Sequence, residues 1–507
     1  MNAANAPSIR EGDVIASVDL GSNSFHLLVA RYELGSLQII DRMREMVRLA
    51  AGLGADGGLD AGHRGRALEC LARFGQRLRD IPASRVRAVA TNTVRRLADP
   101  RTFLVAAEAA LGHAIEVAPG REEARLIYLG VAHAFPRLRG RRLVVDIGGG
   151  STEFIIGQGL DALETESLQM GCVVSTRHLF PDGRITRQRW QNARTEIAVE
   201  LRQFAPHFRA RGWSEAIGSS GTIKALGGVS RAMGVGDWVV TRESLTRISE
   251  AIIAAGHIDA VELPDLSEQR RPVIAGGAVI LDAVFDVLEL ERMRISDFAL
   301  REGLMWDMIG RAEQRDPRER AVASWSQRYG VDLAQAARVE TTAAAMFKQL
   351  RSAWNLEDAA EDWLRFAARL HEIGLAVAHS QHQLHAAYLV EQGDLPGFSA
   401  QEQQILAFLM HVQRRAPGEA LERLEKLPDR LQQPAFLIAV VLRLAILLHR
   451  ARSDEALPAI DLRVGPRSLR LAVDEAWLEA HPLTRADLKR ERKSLASIDF
   501  KLILGTR

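Results

Sequence analysis

The chain has 507 residues, which predicts roughly three domains at about 150 residues each. A hydrophobic fraction of 47% and a charged fraction of 26% are typical of a soluble globular protein, and they exclude a wholly disordered chain, a collagen-like repeat or a small disulfide scaffold. The net charge of +2 excludes a strong overall field, so an anionic partner needs a local basic site.

Cysteine content and hydropathy predict a cytoplasmic protein. Two cysteines, Cys70 and Cys172, provide neither a disulfide framework nor a zinc cluster, which indicates a reducing compartment. No basic segment followed by an apolar run begins the chain, so we predict no signal peptide. The most apolar stretch, residues 436–448, is too short to span about 30 Å of hydrocarbon and predicts a buried helix. Peripheral association with the inner membrane stays open.

Apolar runs separated by turn residues predict an α/β first half. The predicted strands are residues 14–19, 25–30, 86–90, 115–118 and 143–146, with helices at residues 65–78, 106–111 and 122–131. Because turn residues alone separate the first two strands, we expect them to form a hairpin.

Two segments 127 residues apart share one pattern. DLGSNSFHLLVA at residues 19–30 aligns without gaps to DIGGGSTEFIIG at residues 146–157. In each, an apolar strand ends at an Asp, a Gly-rich polar turn follows, and a second apolar strand begins. A period this long is not that of a solenoid. It predicts two similar α/β halves, and chance similarity between two hairpins is the alternative.

The C-terminal part is almost wholly helical in pattern. A charged segment, residues 316–320, marks the change, and the expected helices are residues 333–350, 361–377, 401–413 and 434–450. The last 50 or so residues favour a small strand-containing appendix. We therefore predict domains at residues 1–130, 131–313, 314–455 and 456–507.

The two Gly-rich turns are candidate phosphate-binding loops. Glycine permits positive φ and close approach of backbone amides to an anion, and a run of such amides forms a nest for phosphate oxygens. Neither turn is a Walker loop or a dinucleotide fingerprint. A tight hairpin would explain either turn alone, but two matched turns favour a phosphate clamp between the halves. The candidate residues are Gly21, Ser22, Asn23, Ser24, Gly148, Gly149, Gly150, Ser151 and Thr152.

Three acidic residues beside these turns are candidate magnesium ligands. Asp19 and Asp146 end their strands, and Glu153 lies on the return strand seven residues after Asp146. Mg²⁺ prefers carboxylate oxygens and water, and it commonly accompanies polyanionic phosphate. Turn capping by the two Asp side chains is the alternative.

Glu122 and Glu123 lie in the first turn of a predicted helix. Acidic residues there stabilise the helix through its dipole, and from the residues alone we favour that interpretation. The alternative is a general base for water beside the phosphate clamp.

Three basic residues are candidates for binding phosphate, and the scarcity of lysine singles out one of them. Through Phe347 the chain contains one lysine, Lys224, in the segment AIGSSGTIKAL, whose turn around Gly221 leads into a helix. Amides at a helix N-terminus bind anions, and a lysine retained in an Arg-rich chain indicates a need for a compact cation; an ordinary exposed lysine is the alternative. Arg95 and Arg301 are weaker candidates for gripping phosphate.

The helical part carries a histidine cluster, and a metal-dependent phosphohydrolase would have Asp where this chain has Glu372. Structural histidines or an inherited, non-functional metal site are therefore favoured. The residues are His371, Glu372, His379, His382 and His385.

The chain resembles the exopolyphosphatase/guanosine pentaphosphatase family in a series of segments: DLGSNSFH, ATNTVRR, GREEARLIYLGV, VVDIGGGSTE, MGCV, SSGTIKAL and ALREG, then LHEIG, HSQHQLHAAYLV and DLPGF. The resemblance covers nearly the whole chain. It implies a two-lobed α/β fold of the actin-like ATPase superfold (ribonuclease H-like), followed by an all-α HD-like domain and the small α+β appendix.

The resemblance also implies site roles. Glu123 matches the family's catalytic base, which reverses the preference for a dipole role. Asp146 and Glu153, with Asp19, match acidic positions around Mg²⁺, with K⁺ as a further candidate ion. The Gly-rich turns match phosphate loops. The matched phosphate-contacting positions are Arg95, Gly221, Lys224 and Arg301.

Two substrates and two rival functions stay open. GGGSTE, GTIKAL and the HSxHxxH stretch resemble exopolyphosphatases, which hydrolyse terminal orthophosphate from inorganic polyphosphate. VRLAAGL and IYLGVAH resemble the guanosine pentaphosphate branch. We expect polyphosphate as substrate, guanosine pentaphosphate as the alternative, a homodimer and no nucleic-acid partner. A kinase of the same superfold and a non-catalytic sensor of these anions are the rivals.

Overall fold

The computed structural model describes residues 9–235, 238–313, 315–414 and 417–506. The chain divides into two compact units, residues 1–316 and 317–507. The division lies close to the predicted boundary at 313/314 and falls within the charged segment at residues 316–320.

Unit 1 has an α/β composition. Its strands are β1 (Val14–Leu20), β2 (Phe25–Glu33), β3 (Ser36–Glu45), β4 (Val86–Ala90), β5 (Ile115–Val117), β6 (Arg141–Ile147), β7 (Thr152–Gln158), β8 (Asp161–Leu168), β9 (Glu215–Ser219), β10 (Val239–Thr241) and β11 (Arg292–Ile295). Its α-helices are α1 (Ala61–Leu78), α2 (Asn92–Arg95), α3 (Pro100–Leu111), α4 (Gly120–Ala134), α5 (Cys172–Leu179), α6 (Arg187–Arg202), α7 (Ala205–Arg211), α8 (Ser220–Ala232), α9 (Arg242–Ala255), α10 (Arg271–Val287) and α11 (Leu300–Ala312).

The two sheets of unit 1 repeat one topology. The first has the order β3-β2-β1-β4-β5 and the second β8-β7-β6-β9-β11, with β10 added at its edge. In each, three antiparallel strands are followed by parallel pairing of the central strand with the next. Asp19 pairs with His26 across the first hairpin, and Asp146 pairs with Glu153 across the second. The sequence repeat is therefore a repeat of structure, with each Asp at the same place in its sheet.

Two helices are exchanged between these lobes. Helix α4 follows the first sheet in the chain but packs on β7 and β8 of the second, whereas α11 follows the second sheet and packs on β1 and β2 of the first. The predicted lobes, residues 1–130 and 131–313, assign each helix to the sheet that precedes it, and the boundary at 130/131 falls inside α4. The correction arises because helical periodicity shows that a helix has an apolar face but not which sheet covers it.

The two exchanged helices cross in close contact. A Cβ on Gly130 of α4 would lie 2.1 Å from the carbonyl oxygen of Ala299, and one on Gly303 of α11 would lie 1.8 Å from that of Leu126. Glycine at both positions lets the backbones approach where any side chain would separate them. The crossing therefore fixes the position of α4, which carries Glu123 in its first turn, relative to α11.

A buried ion network reinforces this crossing. Asp307 of α11 accepts hydrogen bonds from Arg125 of α4 at 2.6 Å, Arg87 of β4 at 2.5 Å and Arg311 at 2.8 Å. Burial alone would raise the pKa of Asp307, but these guanidinium groups lower it well below the usual 3.8. A charged carboxylate thus joins both helices and a strand of the first sheet.

Unit 2 is mainly helical with a small sheet. Its helices are α12 (Pro317–Arg328), α13 (Leu333–Leu350), α14 (Asp358–Leu370), α15 (His382–Gln392), α16 (Ala400–Val412), α17 (Gly418–Glu425), α18 (Asp429–Leu448), α19 (Glu475–Ala480) and α20 (Pro482–Ala496). Its strands are β12 (Asp461–Gly465), β13 (Ser468–Val473) and β14 (Lys501–Thr506), in that order in one sheet. The predicted α/β part with two similar lobes, the mainly helical domain and the small C-terminal α+β part are thereby confirmed.

Helix α18 is long and apolar enough to cross a membrane by length and composition, with a mean hydropathy of 2.0. Within its most apolar window, 72% is buried inside the protein. The helix begins five residues before the predicted start at Pro434, which lies inside it. Its burial agrees with the predicted core helix.

We expect Gly130→Ala to destabilise the protein because its methyl group would collide with the backbone of α11. Overpacking of this kind costs on the order of 1–3 kcal/mol, and thermal unfolding measures it as a lower Tm. Gly65→Ala is the matched control, because nothing lies within 4 Å of its Cβ position in α1 and alanine there adds about 0.5–1 kcal/mol. Equal shifts in Tm for the two variants would contradict the close crossing.

Candidate active site

The two Gly-rich turns face each other across the lobes. The first turn, residues 21–24, joins β1 to β2, and the second turn, residues 148–151, joins β6 to β7. A Cβ on Gly149 would lie 3.1 Å from the backbone nitrogen of Asn23. Because the turns are the same part of each repeat, the duplication itself brings them together.

A cavity of about 220 Å³ opens between the turns. Most of the predicted site residues line it, although the lobes supply them from seven different elements or loops. The predicted residues that line the cavity are Asp19, Gly21, Ser22, Asn23, Ser24, Glu123, Asp146, Gly148, Gly149, Gly150, Ser151, Gly221, Lys224 and Arg301.

Three predicted residues do not line the cavity. Thr152 is fully buried and its hydroxyl donates to the carbonyl of Met170. Glu153 is buried behind the acidic residues and accepts a hydrogen bond from Ser167 at 2.9 Å. Neither side chain lines the cavity, so the predicted roles of Thr152 in phosphate binding and of Glu153 in metal binding stay predictions.

Arg95 does not line the cavity, and its predicted contact with phosphate stays a prediction. Its guanidinium donates to the carboxylate of Glu123 at 2.8 Å and to the carbonyl of Ala118 at 2.5 Å. A buried carboxylate needs a partner, and the short helix α2 directs Arg95 to that partner rather than to the cavity. Arg95 thus orients the candidate base.

Three carboxylates share the cavity as an acidic cluster: Asp19, Glu123 and Asp146. Burial, with repulsion from the other two, raises the pKa of Asp19 to about 7 even though Arg301 lowers it. Burial likewise raises the pKa of Asp146 to about 6, although Ser219 donates to its Oδ2 at 2.6 Å. Burial raises the pKa of Glu123 despite the Arg95 ion pair. Burial therefore makes it unfavourable for all three carboxyl groups to be ionised together.

The acidic cluster fits a magnesium ion. Asp19 Oδ1 is buried and has no hydrogen-bond partner, and a cation beside it would relieve its repulsion with Asp146. Within the described ranges no group of three or more His, Cys, Asp or Glu side chains forms a ready-made metal cage. Mg²⁺ usually binds through one or two carboxylates, with water and substrate phosphate completing its shell, and Asp19 and Asp146 are the two carboxylates that could hold it.

Four cations line the same cavity as a basic cluster: Arg44, Lys224, Arg270 and Arg301. Gly221 makes room for one of them, since a Cβ there would lie 1.7 Å from the Arg270 guanidinium. Lys224 donates to the backbone carbonyl of Asp297 at 2.8 Å. The two clusters lie close enough to interact. Arg301 lowers the pKa of Asp19, and Lys224 lowers the pKa of Asp146.

Sequence reasoning missed Arg44, Arg270 and His26, which also line the cavity. The two arginines are hidden in an Arg-rich chain, and no local motif separates them from surface arginines. His26 had a signal: it occupies the position of the first repeat that Glu153 occupies in the second. The alignment that identified Asp19 and Asp146 could have identified it too.

Two histidines of the cluster in unit 2, His371 and His382, each have a ring nitrogen in contact with a protein group. His371 lies 2.6 Å, through Nδ1, from the carbonyl of Ala368, and His382 lies 3.1 Å, through Nε2, from the Arg414 guanidinium. The carboxylate of Glu372 pairs with Arg452. An arginine thus neutralises the acid that would replace the Asp of a phosphohydrolase.

The two repeated α/β lobes place two Gly-rich turns around one polar cavity, an arrangement suited to binding phosphate. Residues 28–312 match the model of the Ppx/GppA phosphatase family, and residues 318–492 match that of domain III of the Ppx/GppA phosphatases. The first match alone covers more than half of the chain. The chain belongs to the Ppx/GppA phosphatase family.

Solved structures of similar proteins agree with this assignment. A structure of the PPX-GPPA enzyme of Aquifex aeolicus is 26% identical, with a TM-score of 0.50, over 58% of this chain and 98% of that one. An exopolyphosphatase from Cytophaga hutchinsonii is 21% identical, with a TM-score of 0.52, over 59% of this chain and 98% of that one. The second likeness supports the fold alone.

We expect the stability of the Asp19→Asn variant to fall less than that of the wild type as the pH rises. Between pH 4 and 7 the folded protein holds a proton on Asp19 that the unfolded chain has released, because the folded pKa is about 7. The free energy of unfolding therefore falls as pH rises. Without divalent cations, Tm should fall less from pH 5 to pH 8 in the variant than in the wild type.

Mg²⁺ supplies the second arm of this test. Added at pH 8, it should raise the Tm of the wild type and have less effect on Asp19→Asn. Asp80→Asn, a change at an exposed carboxylate, is the control. Parallel pH curves for Asp19→Asn and the wild type would contradict the buried carboxyl with a raised pKa.

Proposed function

We propose that this phosphatase is an exopolyphosphatase, which hydrolyses the terminal anhydride of inorganic polyphosphate and releases orthophosphate. The observation that supports it best is the composition of the cavity: an acidic cluster and a basic cluster of four cations adjoin between two amide-lined turns. A chain of phosphates carries charge along its whole length and needs several cations to offset it.

The lack of a large aromatic side chain in the cavity lining favours polyphosphate over guanosine pentaphosphate. No Phe, Tyr or Trp occurs among the residues that line the cavity in the described part of the chain. Proteins commonly hold unpaired bases against aromatic side chains. Guanosine pentaphosphate would therefore place its base outside this cavity, and it stays the alternative substrate.

Binding in this proposal uses the turns and the basic cluster. Amides of the first and second turns contact the oxygens of the terminal phosphoryl group, as in anion nests. Lys224 and Arg301 neutralise the transferred group and the leaving chain. The transition state of phosphoryl transfer is loose, so positioning and charge neutralisation supply most of the acceleration.

Glu123 is the proposed general base. Its pKa is raised by burial, which strengthens it as a base, and its ion pair with Arg95 favours the ionised form. A carboxylate held in this way orients a water molecule for in-line attack and accepts its proton. Arg95 keeps the carboxylate oxygen in place while the proton moves.

Mg²⁺ is the proposed cofactor, held by Asp19 and Asp146, and when bound it would neutralise phosphate charge. Glu153, buried behind them, is proposed to fix the acidic cluster rather than to bind the ion. A homodimer in the cytoplasm, with K⁺ as a further ion, completes the proposal from the family resemblance.

We expect Glu123→Gln to lower kcat by about 10²–10⁴-fold, the usual contribution of a general base, and to leave polyphosphate binding intact. Phosphate release from long polyphosphate, compared with release from guanosine pentaphosphate, measures it. Glu122→Gln is the matched control: its carboxylate binds Arg125 rather than the cavity, so turnover should stay within several-fold.

Near-wild-type turnover in Glu123→Gln would remove Glu123 from the role of base. The same assay tests the rivals. Binding without phosphate release in the wild type would favour a sensor, and transfer of phosphate to an added acceptor would favour a kinase.

We expect Lys224→Ala mainly to raise KM for polyphosphate, because a cation that lines the cavity is lost while the base is unchanged. Initial rates over a range of polyphosphate concentrations separate KM from kcat. Lys348→Ala, a change in unit 2, is the control. An unchanged KM would make Lys224 an ordinary surface lysine.

A further inference from the structure

His26 lies in the basic cluster with both ring nitrogens engaged. It is on β2, opposite Asp19 in the hairpin, and it lines the cavity. Its Nδ1 lies 2.9 Å from Nη1 of Arg301, and its Nε2 lies 2.8 Å from Oγ of Ser24. The imidazole therefore bridges a residue of the first turn and a residue that begins α11.

These contacts determine the tautomer of the ring. A guanidinium only donates hydrogen bonds, so Nδ1 of His26 must accept from Arg301. Neutral imidazole then carries its hydrogen on Nε2 and donates it to the Ser24 oxygen. Burial and the four surrounding cations lower the pKa of His26 well below 6.5, which keeps the ring neutral.

The tautomer determines how the Ser24 hydroxyl and the Arg301 guanidinium are used. Because the Ser24 oxygen accepts from His26, its own hydrogen is directed elsewhere, and Ser24 lines the cavity. One Nη group of Arg301 is held by His26, which leaves other donors of the fork for an anion. The ring thus turns one hydroxyl and one guanidinium toward the same cavity.

The repeat indicates that the contact between His26 and Ser24 is a regular feature of the fold rather than a chance contact. His26 and Glu153 are equivalent residues, and each contacts the serine two positions before it, Ser24 in the first turn and Ser151 in the second. In the second lobe the position carries an acid that adjoins the acidic cluster. In the first it carries a neutral ring that adjoins the basic one.

We propose that His26 is a positioning residue that fixes Arg301 and Ser24 as joint donors to a substrate phosphoryl group. The inference rests on the proposed function for the identity of the substrate. It assigns to His26 no contact with the reacting atoms, so its loss should weaken the binding of phosphate through Arg301.

Two variants of similar bulk separate hydrogen bonding from packing. His26→Leu fills the space without polar atoms, whereas His26→Gln offers one acceptor and one donor. Calorimetry with tripolyphosphate, in buffer without divalent cations, measures Kd with no need for turnover. We expect about 10-fold weaker binding for His26→Leu, which corresponds to one lost charge-assisted contact, and binding within about threefold of wild type for His26→Gln.

A double-mutant cycle gives the decisive comparison. In the Arg301→Ala background, His26→Leu should cause a smaller further loss than it causes in the wild type, because only its contact with Ser24 is left to lose. His113→Ala, a half-buried histidine elsewhere in unit 1, is the control and should leave Kd unchanged. Thermal unfolding verifies that each variant is folded.

Two results would overturn the role of His26: an equal loss for His26→Leu in both backgrounds, or equal affinities for the Leu and Gln variants. These outcomes differ from a failure of the proposed function, which would be a wild type that releases no phosphate from polyphosphate. Tripolyphosphate binding still measures the coupling between His26 and Arg301 in that case.

Discussion

Repulsion among buried carboxylates is the interaction on which the site depends. Asp19, Glu123 and Asp146 lie in one cavity, and burial with mutual repulsion raises the pKa of Asp19 to about 7. The protein offsets this for Glu123 with Arg95 and for Asp146 with Ser219. One oxygen of Asp19 has no such partner. Such a cluster is relieved by a cation, and a bound cation in turn attracts phosphate.

The fold supplies the stiffness that this arrangement needs. Two exchanged helices, α4 and α11, carry the base and Arg301 at their first turns, and they cross where glycine allows backbone contact. The ion network around Asp307 holds the same helices to each other and to β4. Charged groups that repel one another would otherwise move apart, so rigidity near the helix starts is part of how the site is maintained.

Much of the fold could be predicted because it depends on local patterns. Turn chemistry between apolar runs located both hairpins, and the gapless repeat indicated that Asp19 and Asp146 occupy equivalent places. The exchange of α4 and α11 could not be predicted this way, because an amphipathic helix does not specify its partner sheet. The predicted bounds of the lobes therefore group each helix with the sheet that precedes it in the chain rather than with the sheet on which it packs.

Which features of the site could be predicted likewise depended on whether their signal is local in the sequence or arises from tertiary contacts. Glycine-rich turns and the lone Lys224 were visible as local signals. The pairing of Arg95 with Glu123 and the approach of Arg270 over Gly221 depend on contacts distant in sequence. His26 and Glu153 occupy equivalent positions in the two copies of the motif. Comparison of the copies could therefore have placed His26 in the site, which neither copy does alone.

The central claim is that the cavity between the two turns holds the end of a phosphoanhydride chain, with its terminal group at the acidic cluster. A crystal structure of Glu123→Gln with tripolyphosphate and Mg²⁺ tests it most directly. The account predicts the terminal phosphoryl group between the first and second turns, beside residue 123, with the remaining phosphates along Lys224 and Arg301. Tripolyphosphate bound elsewhere, or a terminal group far from residue 123, would contradict it.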